Sequence, residues 1–100
     1  MKRRFVIGAA PLDQEQERRL REYLGKIGPW WHWIGNMWLV TTDSEEPTVV
    51  KIRDYIQELD PNVRVVVFEF PEDINWAASG NKNAKGKMLA DWLKTTWGPD

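Results

Sequence analysis

Two β-prone runs, residues 31–34 (Trp-His-Trp-Ile) and 37–42 (Met-Trp-Leu-Val-Thr-Thr), are separated only by Gly35-Asn36. Gly-Asn is a two-residue turn of the kind that closes a hairpin, so the runs are expected side by side and antiparallel. A plain two-residue closure sets Ile34 opposite Met37, Trp33 opposite Trp38, His32 opposite Leu39 and Trp31 opposite Val40. Alternation then places Trp31, Trp33, Trp38 and Val40 on one face and His32, Ile34, Met37 and Leu39 on the other. Both faces are mainly apolar. A sheet wetted on one side alternates with polar residues instead, so each face of this hairpin is expected to need cover.

The flanking segments fix what the hairpin joins. Residues 3–10 are an apolar run ended by Pro11, which reads as a strand. Asp13 can cap a helix from Gln14 to Lys26, with Gln16 completing a capping box. Leu20, Tyr23, Leu24 and Ile27 form its apolar stripe, and Gly25 and Gly28 are candidate stops. Residues 43–47 (Asp-Ser-Glu-Glu-Pro) read as the start of a second helix, with acids in its first turn and Val49, Ile52, Tyr55, Ile56 and Leu59 on its buried face. After the break at Asp60-Pro61-Asn62, residues 63–70 form a strand. It carries Val63, Val65 and Val67 on one face and Val66, Phe68 and Phe70 on the other. Residues 79–83 read as a loop. Residues 84–97 read as a short helix with Met88, Leu89, Trp92 and Leu93 on its apolar side.

The order is strand-helix-strand-strand-helix-strand, the split βαβ pattern of a ferredoxin-like α+β sandwich. One domain over residues 1–100 is expected. Residues 1–73 form its core, a four-stranded antiparallel sheet with two helices on one face, and residues 74–100 a loop and C-terminal helix. The second apolar face is then covered either by the tail or by a second copy. The reading favours a homodimer through this face, with Trp31, Trp33 and Trp38 near the seam.

Composition excludes several functions. The chain has no cysteine and one histidine, which removes disulfides, thiolate nucleophiles and two-histidine metal motifs. Its net charge is −1, unlike a strongly basic nucleic-acid coat protein. No apolar run approaches the ~20 residues that span a bilayer. The N-terminus opens like a signal peptide but breaks at Pro11-Leu12-Asp13, so a cytoplasmic protein with no membrane partner is expected. The seven tryptophans are either an unusually heavy core or partly a binding surface. Trp92 reads as a core anchor, and Trp30, Trp76 and Trp97 are candidates for something more specific.

Few residues offer chemistry. Gly80 to Met88 resembles a phosphate-binding loop but has five residues between its glycines and Met88 where a hydroxyl would hold magnesium. His32 lies between tryptophans with no orienting partner for acid–base work. Asp43, Glu45 and Glu46, and Glu72 with Asp73, are acidic clusters that read as caps and turns before they read as a magnesium site. No cofactor or metal is expected. Charge is uneven: residues 1–30 hold seven basic and four acidic groups, residues 31–75 three and nine, and residues 76–100 four and two. Lys2, Arg3 and Arg4 with Lys82, Lys85 and Lys87 would form one basic patch if the tail returns near the first strand. Basic groups beside aromatic rings suit single-stranded nucleic acid.

The segment from Gly28 through Trp30, Trp31, His32, Trp38, Leu39 and Val40 to Thr42 resembles the "G-x-W-W-H … W-L-V-x-T" pattern of small SinR-like bacterial and phage proteins. Asp91-Trp92-Leu93-Lys94 is similar to the "D-W-L-K" ending of the same group. These proteins look like relatives of the small CRISPR spacer-acquisition subunit and of VapD-type toxin ribonucleases. The resemblance implies a ferredoxin-like homodimer with a nucleic-acid connection, in phage or bacterial conflict or regulation. It does not imply catalysis. The nuclease relatives carry a metal-binding acid at the end of the first strand, where this chain has Gly8-Ala9-Ala10 and no acid before Asp13. The expected function is therefore a non-catalytic dimeric module for a nucleic-acid or protein partner. The alternatives are a metal-dependent endoribonuclease with a rearranged site built on Asp13, Asp43 or His32, and a small-ligand sensor with a tryptophan-lined pocket.

Overall fold

A computed structural model describes residues 2–71 and 92–97, with the backbone alone at Trp33 and Leu93. Its elements run β1 (Arg3–Ala10), α1 (Gln14–Ile27), β2 (Trp30–Ile34), β3 (Met37–Thr42), α2 (Val49–Leu59) and β4 (Arg64–Phe70), followed by a short π-helical segment, Leu93–Trp97. The strands form one sheet in the order β2-β3-β1-β4, with every neighbouring pair antiparallel. The fold is α+β, with two main helices and a four-stranded antiparallel sheet, and is compatible with a ferredoxin-like sandwich.

The sequence cues for α1 act as expected. The Asp13 side chain accepts from the Gln16 amide at 2.8 Å, and the Gln16 side chain accepts from the Asp13 amide at 2.8 Å. Two orphan amides of the first turn are thereby satisfied. Gly28 closes the helix by donating its amide to the Leu24 carbonyl at 3.1 Å. The second helix starts later than its sequence suggests. Thr48 is the N-cap, accepting from the Lys51 amide at 3.2 Å, and no acid lies in the first turn. Pro47 follows a cis peptide bond and sits outside the helix. A threonine hydroxyl next to the apolar stripe outcompetes the acids further upstream.

Both helices pack on the same face of the sheet. Phe5, Ile7, Ala9, Trp38 and Val40 from the strands meet Leu20 and Leu24 of α1 and Ile52 and Ile56 of α2 in one buried cluster. Tyr23 and Tyr55 stack with ring centroids 3.9 Å apart and clamp the helices together, and burial pushes the Tyr23 phenol up.

The hairpin departs from its expected register. Trp30 pairs with Val40 and Trp31 with Leu39, while Ile34 still pairs with Met37. The shift between Trp31 and Ile34 is a bulge, which inserts one residue and turns everything beyond it to the opposite face. Trp31 therefore shares a face with Leu39, not with Trp38 and Val40. The His32 ring stacks on Trp38 at 4.2 Å, while the Trp33 side chain, expected across from Trp38, lies outside the described residues.

Candidate functional site

The face of the sheet away from the helices is laid out by the pairing. One row crosses it as Ile34, Met37, Gly8 and Val66, a second as Trp31, Leu39, Val6 and Phe68, and a third as Thr41, Arg4 and Phe70. Residues 92–97 form a strap over part of this surface. Trp92 and Trp97 are buried with Trp31 and Leu39, and Val6 and Phe70 pack against them. The tail thus covers part of the face for which a second copy was expected. Trp97, expected to be uncommitted, is packing.

Two basic side chains of β1 and its approach lock the strap. The Arg4 Nε donates to the Trp97 carbonyl, and the Lys2 Nζ donates to the Thr96 carbonyl at 2.8 Å. Arg4 is fully buried, although it was expected on a basic surface patch. It alternates with Phe5 in a strand covered on both sides, so the strap encloses it. Arg3 is likewise committed. Its guanidinium makes a two-point pair with Glu69 at 3.1 and 2.9 Å and donates to the Pro47 carbonyl at 2.9 Å. It also lies 5.0 Å from the centre of the Phe5 ring. The two-point hydrogen bond holds the Glu69 carboxyl below its usual range and raises Arg3. Lys82, Lys85 and Lys87 lie outside the described residues, as does Trp76.

Elsewhere on the face three apolar side chains are exposed. Ile34, Val66 and Phe68 are 51%, 47% and 52% exposed. The Phe68 and Phe70 rings stack along β4, an edge strand, with centroids 5.9 Å apart. Among the described sheet residues this face carries arginines, Arg4 and Arg64, and no carboxylate.

The strap also builds a cleft of about 370 Å³ where it passes the ends of α1 and β3. Lys2, Ile27, Gly28, Thr42, Asp43 and Thr96 are among its lining residues. Two of the sequence candidates, Lys2 and Asp43, therefore meet on one cavity, though they were assigned to different chemistries. The other two acid–base candidates stand apart. Asp13 is held by the capping box of α1. His32 is fixed by its stack on Trp38 and by a 2.9 Å hydrogen bond between Nε2 and the Gly35 carbonyl. Among the described residues no group of three His, Asp or Glu side chains is arranged to hold a metal ion, and no helix is long and apolar enough to cross a membrane.

Of the three expected interface tryptophans, Trp31 is buried under the strap and Trp38 has no exposed surface to offer a second copy. The side chain of Trp33 lies outside the described residues. Sequence reasoning missed Ile34, Val66 and Phe68 as the exposed apolar group, although the alternation of β4 already set Val66 and Phe68 apart from the core-facing valines. It also missed the threonines of the cleft, which come from distant segments and carry no local pattern. No family model, no curated protein and no solved structure matches the chain.

Proposed function

We propose that the chain is a ferredoxin-like binding module without catalytic machinery, which pairs with a second copy of itself through the uncovered part of its sheet. The observation that carries this reading is the row Ile34, Met37, Gly8, Val66 with Phe68 beside it: apolar, partly exposed and free of charged side chains among the described residues. A two-fold axis places such a row against itself without juxtaposing like charges. The neighbouring part of the same face already packs the two aromatic side chains Trp92 and Trp97. The SinR-like resemblance, with its expectation of a dimer, agrees with it.

The test is sedimentation of the full chain at micromolar concentration. The wild type is expected as a dimer, and Val66→Asp with an unchanged circular dichroism spectrum as a monomer. A monomeric wild type overturns the reading. Single-stranded nucleic acid is the second reading. It rests on the exposed Phe68 ring and the exposed Arg64, on a face whose described sheet residues include no carboxylate, the elements of a stacking platform. Titration with a labelled single-stranded oligonucleotide separates it from self-pairing. The ribonuclease reading gains no such support, because Asp13 and His32 are engaged in local structure.

A further inference from the structure

We propose that Gly8 and Phe68 set the register of self-pairing, with the Phe68 ring of each copy seated on the bare backbone at Gly8 of the other. This rests on the pairing reading above and adds to it the contact that decides how two copies fit.

Among the described residues, nothing in β1 calls for a glycine at this position. The strand runs through Gly8 without a bulge, opposite Met37 on one side and Val66 on the other. The backbone of Gly8 lies outside the left-handed region. An added Cβ would meet, among the described residues, the Val66 Cγ1 at 3.3 Å and the Asn36 carbonyl oxygen at 4.0 Å. The first belongs to an exposed side chain that can give way, and the second is ordinary contact. A glycine inside a strand weakens it, and where no bulge or bend explains it, it marks a place that another chain approaches closely. On this face the missing side chain leaves a shallow socket beside Val66.

The occupant follows from what stands next to the socket. Phe68 is the diagonal neighbour of Gly8 on the same face, about 7–8 Å away in such a sheet. It is 52% exposed, and its ring stacks on Phe70, which packs against the cluster under the strap. The ring is therefore supported before pairing, as suits an aromatic anchor. A two-fold axis lying along the face, midway between Gly8 and Phe68, exchanges the two positions. Each copy then offers one ring and one socket, and both contacts form together. Gly8, Val66, Val6 and Phe68 carry no charge, so the contact buries none.

The experiment is sedimentation of the full chain across a concentration series, with two variants measured singly and mixed. The wild type is expected as a dimer at micromolar concentration. Gly8→Val fills the socket and Phe68→Ala removes the ring, so each should raise the dissociation constant about tenfold or more. Mixed in equal amounts, the two variants should pair with each other more tightly than either pairs with itself. In the mixed pair an intact ring meets an intact socket, and the filled socket meets the shortened side chain. Gly8→Val is expected to keep a urea midpoint at or above that of the wild type at a dilution where both are monomers, since valine suits a strand better than glycine. If valine unfolds the chain, Gly8→Ala takes its place in the same mixture. A monomeric wild type overturns the pairing reading and this contact with it. A dimeric wild type whose folded variants pair as tightly as it does overturns the contact alone, as does a mixture that pairs no better than the separate variants.

Discussion

Gly28 places one wall of the cleft through an absent methyl group. A Cβ built there would lie 2.0 Å from the Thr41 carbonyl oxygen, a backbone atom that cannot swing aside. The backbone dihedral at Gly28 is extended and open to any residue, so the requirement is close approach alone. The contact lets the end of α1 lie against β3, where the Thr41 amide donates to the Pro29 carbonyl at 3.0 Å. Gly28→Ala must push the helix end off the strand. We expect a loss of about 1–3 kcal/mol, the usual cost of overpacking, read as a lower urea midpoint with an unchanged slope. A midpoint equal to the wild type would mean that the two segments separate freely. From the sequence, Gly28 was legible as a helix stop. Its contact with Thr41 was not, because the partner lies on another strand.

At the scale of elements, Arg3 ties β1 to β4 and to the loop before α2. Its guanidinium holds Glu69 and the Pro47 carbonyl, while the Phe5 ring supports it from below. Glu69 has its carboxyl pKa lowered by that bond. A depressed carboxyl contributes stability above its unfolded value of about 4.3, and that contribution is lost as pH falls through the lower folded value. The Glu69 side chain is 39% exposed, so solvent screens part of the gain. Urea midpoints measured from pH 6 down to pH 3 are therefore expected to fall less steeply for Glu69→Gln than for the wild type. Identical slopes would remove Glu69 from the acid dependence. The same scale shows what the sequence reveals about the fold. Strand and helix identities, the α1 cap and the two faces of β4 follow from periodicity and capping chemistry, which are local. The bulge between Trp31 and Ile34 is not local. The Trp30–Val40 and Trp31–Leu39 pairs outweigh the register that Gly35-Asn36 alone would set. Those pairs send Trp38 and Trp31 to opposite sides of the sheet, where the helix-side core and the strap bury them.

For the molecule as a whole, the question is what holds the strap on the second face, beside the exposed Ile34, Val66 and Phe68. Trp92 and Trp97 supply apolar burial, but Trp–Trp packing is non-directional and would tolerate sliding. The Arg4 bond to the Trp97 carbonyl is directional, and it encloses a cation in the interior. An ion in that position is costly unless its hydrogen bonds are kept, so undocking the strap would take the Nε bond from a guanidinium whose Nη1 also donates to the Lys2 carbonyl at 3.1 Å. Arg4→Ala removes the donor and the aliphatic stem, whereas Arg4→Met removes the donor and keeps an apolar stem. If the directional bond positions the strap, both variants should speed amide exchange at residues 93–97 and shift tryptophan emission to the red. The cooperative unfolding of the helix-side core should persist, since Arg4 lies on the other face. Self-association should rise in both, because Trp31 and Leu39 would join Ile34, Val66 and Phe68 on the exposed surface. If Arg4→Met retains the slow exchange of the wild type, packing alone holds the strap and the guanidinium is only its filler. If both variants exchange fast yet remain in the wild-type oligomeric state, the covered part of the face takes no share in the proposed pairing.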